Sequence, residues 1–397
     1  MTQTVLLTLG RLPKALELAR ALNGAGARVI VTDPFARHLC WPSRAVAKSI
    51  CVPAPATDPA GYRDALLTVI RTENIDLVVP ISEEALHTTL LAPHLPNGVW
   101  LFGPDHETLR RLHDKLSFNR AAQAAGLHVP ETHNAHTSAA RTLASDGDYI
   151  LKPAHGCSGQ GFSQHPRGTA IPDDGHYANH VAQDYVDGRH VSVQAIAHGG
   201  QLTGCVAYEG LIFAGSVATF FDRVVDEPAL EPWVQLFVRY HDYSGFVAFD
   251  FIIDARGPMA IECNPRLTSG VHFFDPNDMA ACVLDPATPR TVRLKAQRRF
   301  QEGHTSLTEA YGDFVRPRTF LRHLKTMAGA KDVLFSAQDP LPFLLMTPMS
   351  WDLLKQVIFD GRSFGEAATH DIEWQGAQID TATTATTQKQ PSTEHYA

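Results

Sequence analysis

No stretch of this chain approaches the ~18 consecutive apolar residues of a membrane-spanning helix, so the sequence predicts no membrane partner. Cysteine is scarce: six in 397 residues, at positions 40, 51, 157, 205, 263 and 282, with no CxxC pair and no regular spacing. That excludes a disulfide framework and fits thiols serving as small apolar residues in a reducing cytoplasm. The N-terminus MTQTVLLTLGRLPKALELAR turns charged too soon for a signal peptide. The 20 histidines are scattered and form no HExxH, and no GxGxxG dinucleotide fingerprint or internal repeat occurs. There is no basic excess either. With 34 Lys+Arg against 42 Asp+Glu the net charge is −8, which predicts no general nucleic-acid binding.

What is present is ordinary globular material, 44% hydrophobic and 19% charged, enough for two to four domains. The first hundred residues alternate strand and helix. Thr4–Leu9, Arg28–Thr32, Ile75–Ile81 and Trp100–Phe102 read as strands, Pro13–Leu22 and Tyr62–Arg71 as helices. This alternation predicts a parallel, Rossmann-like sheet with ligands beyond the carboxyl ends of its strands. Gly10-Arg11-Leu12 and Ser82-Glu83-Glu84 stand at that place.

From about Leu109 the texture becomes α+β. Leu109–Ala125 reads as one helix carrying Asp114 and Lys115, and Val234–Tyr240 as another. Tyr149–Pro153, His180–Tyr185, Val191–Ile196, Gln201–Tyr208, Gly245–Ile253 and Met259–Cys263 read as strands, the last two joined by Asp254-Ala255-Arg256-Gly257. The glycine-rich turn Ala154–Phe162 follows the strand that bears Lys152. Residues 286–325 are locally basic, with nine Lys/Arg against three acids. The polar tail from Thr381 lacks the apolar residues to build a core and is expected to be disordered. Asp339–Ile358 is expected to pack against the main body.

Four segments carry chemistry together. Glycines 156, 159 and 161, with Ser158, let backbone N–H groups approach an oxyanion, and Lys115 and Lys152 supply charge for a polyphosphate. A plain surface turn accounts for the same glycines equally well. Gln183–His190 combines a strand and a turn able to face a purine edge, with His190 or Asp187 for ribose hydroxyls, though an ordinary strand and turn explains these letters too. Asp250 lies on one strand and Glu262 and Asn264 on the next. Alternation puts 262 and 264 on one face, and two carboxylates with an amide oxygen are hard ligands suited to Mg²⁺. An ion-pair network with Arg266 is the structural alternative.

DKLSF (114–118), YILKP (149–153), HGCSGQGF (155–162), AQDYVDGRHVSV (182–193) and GFVAFDFIIDARGPMAIECNPR (245–266) resemble, in order and spacing, the ATP-grasp superfamily. Within it the chain looks most similar to carboxylate–amine ligases of the carbamoyl-phosphate synthetase and biotin carboxylase type. The resemblance spans roughly residues 1–275. It implies α/β and α+β architecture in five parts: a Rossmann-like preATP-grasp domain (1–112), a small lid lobe (113–190), a large lobe with the metal site (191–285), a C-terminal extension (286–380) and a disordered tail (381–397).

The resemblance further implies ATP and one or two Mg²⁺ ions (or Mn²⁺ in their place), small carboxylate and amine substrates, and is compatible with a homodimer. On that pattern Lys115 and Lys152 contact the phosphates and loop 156–161 closes over them. Gln183 and the backbone of Tyr185 and Val186 read adenine, and His190 meets the ribose. Asp250, Glu262 and Asn264 hold the metal, and Arg266 faces the γ-phosphate and the activated carboxylate. Two departures stand out: the hinge begins Gln183-Asp184 where Glu is usual, and Asp replaces Glu at 250.

Such an enzyme forms an acyl phosphate, which an amine then captures. Capture by a thiol or hydroxyl, phosphoryl transfer, and a non-catalytic ATP-binding module are the alternatives. For the substrates, Ser269 and His272 follow the metal strand and are expected on the acceptor side, His272 either orienting the amine or simply packed. Glu83 is placed to bind an amino group, or, with Ser82 and Glu84, to start a helix; Arg11 is a candidate for a substrate carboxylate.

Overall fold

The computed structural model describes residues 2–156, 161–173, 175–214, 217–285, 288, 290–306, 317–362 and 364–374. Three sheets organise them. Strands β1 (Thr4–Leu7), β2 (Arg28–Asp33), β3 (Lys48–Cys51), β4 (Leu77–Val79) and β5 (Trp100–Leu101) form a parallel sheet in the order β3-β2-β1-β4-β5. The central strands carry apolar, fully buried runs (Val5–Leu7, Val29–Val31, Leu77–Val79), as parallel strands covered by helices on both faces do. The expected strands are present, with helices Pro13–Gly24 and Pro59–Thr72 between them. Edge strand β3 (KSIC) lay outside the sequence reading because it is half-exposed and carries no apolar alternation.

A four-stranded antiparallel sheet, β6-β9-β7-β8, follows: β6 Thr132–Asn134, β7 Tyr149–Pro153, β8 Ser163–His165 and β9 His180–Asp184. The largest sheet runs β14-β13-β10-β11-β12-β15-β16. Its members are β10 Arg189–His198, β11 Gln201–Ala214, β12 Val217–Arg223, β13 Gly245–Asp254, β14 Gly257–Asn264, β15 Arg299–Gln301 and β16 Lys331–Asp332. The sheet therefore continues past residue 285 into the basic segment, whose cations are used in ion pairs: Arg299 with Asp222, Arg293 with Asp278, and Lys295 with Glu17.

The helix expected over Leu109–Ala125 is two, His106–His113 and Lys115–Ala124. Asp114 between them is extended (φ −73°, ψ 120°), and its carboxylate accepts the Ser117 N–H at 2.7 Å. This is N-capping: an aspartate satisfies a free first-turn amide and restarts the helix in a new direction. The break aims Lys115 inward, where it is buried.

One core joins the N-terminal sheet, the large sheet and the C-terminal helices. Leu7, Leu16 and Val31 pack in the same cluster as Phe221, Phe273, Phe300 and Met349. A second core sits on the other face of the large sheet, where the rings of Trp233, Phe237, Phe249 and Phe251 lie 5.0–6.1 Å apart, mostly edge to face. The C-terminal segment is tied down by polar contacts as well. Asp339 accepts from Arg20, Ser43 and the Arg44 amide, so the expected packing of 339–358 on the body is met. The tail beyond Trp374 lies outside the described residues, and no described helix is long and apolar enough to cross a membrane.

Candidate active site

Asp250 on β13 and Glu262 on β14 are directly cross-strand partners, and Asn264 pairs with Ala248 one step along. Like charges in such a pair repel. Burial first, and the Glu262 carboxylate second, push the Asp250 carboxyl up from its ordinary range. Asp250 nonetheless has fixed orientation: Ser192 Oγ donates to Oδ1 at 2.6 Å and Asn264 Nδ2 to Oδ2 at 3.1 Å. Two facing carboxylates, each with acceptor capacity left, suit a hard cation. Among the described residues no cluster of three or more His, Cys, Asp or Glu stands ready for a metal. The set here is two carboxylates and an amide oxygen, as in sites where substrate phosphates and waters complete the coordination shell.

Three cations converge on this pair. Lys115 Nζ lies 3.5 Å from Glu262 Oε1 and donates to the Gly156 carbonyl at 2.9 Å. Lys152, at the end of β7, donates to Gln183 Oε1 (2.8 Å) and to the Ile261 carbonyl (2.9 Å). Burial lowers Lys152 to about 8, Glu262 opposing that shift and Lys115 adding to it. Arg266 donates from Nη2 to Asn264 Oδ1 at 3.0 Å and from Nε to Glu83 Oε1 at 2.7 Å.

Both polar atoms of the Gln183 side chain have partners within the protein. Its oxygen accepts from Lys152 and its nitrogen donates to Thr132 Oγ1 at 2.9 Å, so it positions the lysine. The Tyr185 amide is likewise taken, donating to the Asp148 carbonyl at 3.0 Å. Val186 is buried against Ile252 and Met259 with Ile261 alongside, an apolar cluster. His190 is exposed on β10 at the rim of the central cavity.

The glycine-rich segment is described only at its ends. Gly156 (φ +109°) and Gly161 (φ +66°) both adopt left-handed backbone, and a Cβ on Gly161 would meet Pro153 at 2.9 Å. Ser158 and Gly159 lie outside the described residues.

The proposed substrate residues have other partners. Glu83 is buried and forms an ion pair with Arg266 at 2.6 Å, with His113 Nδ1 3.7 Å away. Burial alone would raise it, but Arg266 foremost, then His113 and Lys14, hold it at about 2. It therefore fixes Arg266 instead of awaiting an amino group. Glu84 folds back to accept from the Ile81 and Ser82 amides and Thr8 Oγ1, bracing the turn before helix Ala85–Thr88. Arg11 is clamped between Asp33 (2.8 Å) and Asp371 (2.7 Å), and its charge is neutralised by them. His272 is buried with Nδ1 3.1 Å from Glu17 Oε2, and Ser269 opens the short 3₁₀ turn Ser269–Phe273; both line the cavity.

That cavity holds about 580 Å³ and runs from the Asp250/Glu262 pair along the large sheet to the C-terminal helices. Several of its polar residues were missed in the sequence. Lys14 donates to the Leu267 carbonyl (2.7 Å) and Ser82 Oγ (3.0 Å), and Tyr208 Oη to Thr268 Oγ1 (3.1 Å). Only the position of Lys14, just past the carboxyl end of β1, signalled it. Glu302, which also lines the cavity, had no signal.

Residues 112–270 match the family model of the ATP-grasp domain. No curated protein sequence matches the chain. Among solved structures, biotin carboxylase from Campylobacter jejuni, in a β-γ-ATP complex, is 19% identical with a TM-score of 0.61, covering 75% of this chain and 74% of its own. N5-carboxyaminoimidazole synthetase from Staphylococcus aureus, complexed with ADP, is 16% identical with a TM-score of 0.59 over 74% and 81%. The biotin carboxylase domain of 2-oxoglutarate carboxylase from Hydrogenobacter thermophilus, with MgADP and bicarbonate, is 15% identical with a TM-score of 0.60 over 73% and 70%. This chain thus carries an ATP-grasp domain and has the ATP-grasp fold, as its motifs led us to expect.

Proposed function

We propose that the chain is an ATP-dependent ligase that activates a carboxylate as an acyl phosphate and couples it to an amine, releasing ADP and phosphate. The observation that carries this reading is the convergence of Lys115, Lys152 and Arg266 on the Asp250/Glu262 pair, which lines one end of a large cavity. Relatives in fold bind ADP or MgADP by their own descriptions.

In this reading Asp250, Glu262 and Asn264 would hold one or two Mg²⁺ ions, which would offset triphosphate charge when bound. Asn264 would offer the remaining lone pair of an oxygen already bonded to Arg266. Lys115 and Lys152 bind the phosphates, the adenine lies by the apolar cluster of Val186, Ile252 and Met259, and His190 is toward the ribose. Loop 156–161 covers the phosphates.

A substrate carboxylate oxygen then attacks the γ-phosphorus. Arg266, held flat by Glu83 and Asn264, presents its fork to the carboxylate and the transferring group. The amine attacks the acyl carbon and phosphate leaves. Enclosure of the cavity keeps water from the acyl phosphate. We place the acid and amine in amino-acid or specialised metabolism.

The test is ADP and phosphate release with a mixed pool of carboxylates, with and without amines. Amine-dependent turnover is expected, and Glu262→Gln should reduce it at least ~100-fold with the fold intact. Turnover that requires a thiol or hydroxyl, or nucleotide binding with no turnover across the pool, would overturn the amine reading.

A further inference from the structure

The cavity has a second polar end that the phosphate chemistry does not use. Glu302 follows β15 and continues its pairing, its N–H donating to the Thr219 carbonyl at 2.8 Å. Asp250 and Glu302 therefore stand four strands apart, β13-β10-β11-β12-β15, about 19 Å at ~4.8 Å per strand. Both line one continuous cavity.

Between them the walls mix polar side chains, Lys14 and Tyr208 among them, with an apolar stretch. Phe221 rises from the large sheet, and Leu12 and Phe35 face it from the N-terminal domain. Met346, Met349 and Leu353 close the side made by the C-terminal helices. The volume, about 580 Å³, is that of a small-molecule site.

Glu302 lines this space from a half-buried position, with no cation in ion-pair reach among the described residues. Its charged neighbour is Asp332, of like sign, whose own oxygens accept the amides of Gly303, Leu334 and Phe335. Burial foremost, then Asp332, push the Glu302 carboxyl up to about 7. Thr305 hydrogen-bonds the Glu302 carboxyl, but a hydrogen bond supplies no counter-charge. A carboxylate withdrawn from water without a counter-charge is costly, and an arriving ammonium group relieves that cost.

We propose that the cavity takes a carboxylate substrate with an apolar body and a protonated amine at its far end, the amine seated on Glu302. Which end of the substrate reacts rests on the ligase reading; the existence of the ammonium seat does not.

Two measurements on the intact chain test this. In the first, phosphate release is followed with Mg-ATP and straight-chain ω-amino acids from aminobutyrate to aminododecanoate, each beside its unsubstituted acid. At the fitting length the amino acid should exceed the plain acid in kcat/KM by at least about tenfold. In the second, alkylammonium ions of matched lengths are titrated by calorimetry without nucleotide. Binding should be measurable, and Glu302→Gln should weaken it about a hundredfold, while Glu302→Lys should move preference to α,ω-dicarboxylates. Absent alkylammonium binding in the natural chain, or undiminished binding in Glu302→Gln, overturns the proposal. If no acid is turned over but ammonium binding depends on Glu302, the ligase reading falls and the seat stands. If acids are turned over with no preference for the amine, the seat falls and the ligase reading stands.

Discussion

Replacing Glu83 by Gln removes one charge from a buried pair that crosses 183 residues of sequence. The Glu83 side chain is 2% exposed and that of Arg266 14%, so solvent screens the pair little. The carboxylate falls from 4.5 to about 2, against the opposing effect of burial and through Arg266 first. At 1.36 kcal/mol per unit this is roughly 3 kcal/mol. The cost of leaving a buried charge unpaired gives about the same figure, 3–5 kcal/mol. The sign follows from a depressed carboxylate: the stabilisation is complete above the unfolded value of 4.5 and disappears as pH falls toward 2. Urea unfolding should therefore show Glu83→Gln about 3 kcal/mol less stable than the natural chain at pH 6, with the gap narrowing steadily below pH 4.5. Because Arg266 loses its brace, kcat should fall more than nucleotide affinity. A gap under ~1 kcal/mol at pH 6, or one that does not change between pH 6 and pH 3, would refute the argument.

Two further outcomes follow from the same geometry. Lys152, at about 8, is charged below that pH and neutral above it, so nucleotide Kd should hold steady to pH 7.5 and then rise up to about tenfold per pH unit; a Kd flat to pH 9.5 would remove Lys152 from the phosphate site. Asp371→Asn leaves Arg11 with one carboxylate and frees the anchor of the C-terminal helices. Limited proteolysis within 341–374 should then quicken at least ~10-fold, and unchanged cleavage would show the apolar contacts hold the segment unaided.

The residue types of the site were legible because they sit close together in sequence. Asp250, Glu262 and Asn264 share one hairpin, and strand alternation alone puts the last two on one face. The parallel sheet was legible for a similar reason: its central strands are short apolar runs bounded by turns. What stayed hidden were partners supplied from far along the chain. Nothing near Glu83 signals that it braces Arg266, and nothing near Gln183 signals that it holds Lys152. Edge strands β3, β15 and β16 were missed because two to four half-exposed residues carry no period to read. Asp114 was read as helix interior because the apolar spacing runs on through it, although its carboxylate ends one helix and begins the next.

These hidden contacts share a consequence. Arg266 is oriented by a residue of the N-terminal domain, Lys152 of the small lobe donates to a carbonyl of the large lobe, and Arg11 of the first sheet holds the C-terminal segment that walls the cavity. Each cation near the reacting end is thus fixed by an acceptor from a different part of the chain. Loss of the contact from Lys152 to the Ile261 carbonyl would free that lysine from the Asp250/Glu262 pair while leaving the Arg266 contacts in place. On the proposed ligase reading, the contacts that hold the lysines and those that hold Arg266 are distinct, so phosphate binding and carboxylate positioning should respond separately to their loss.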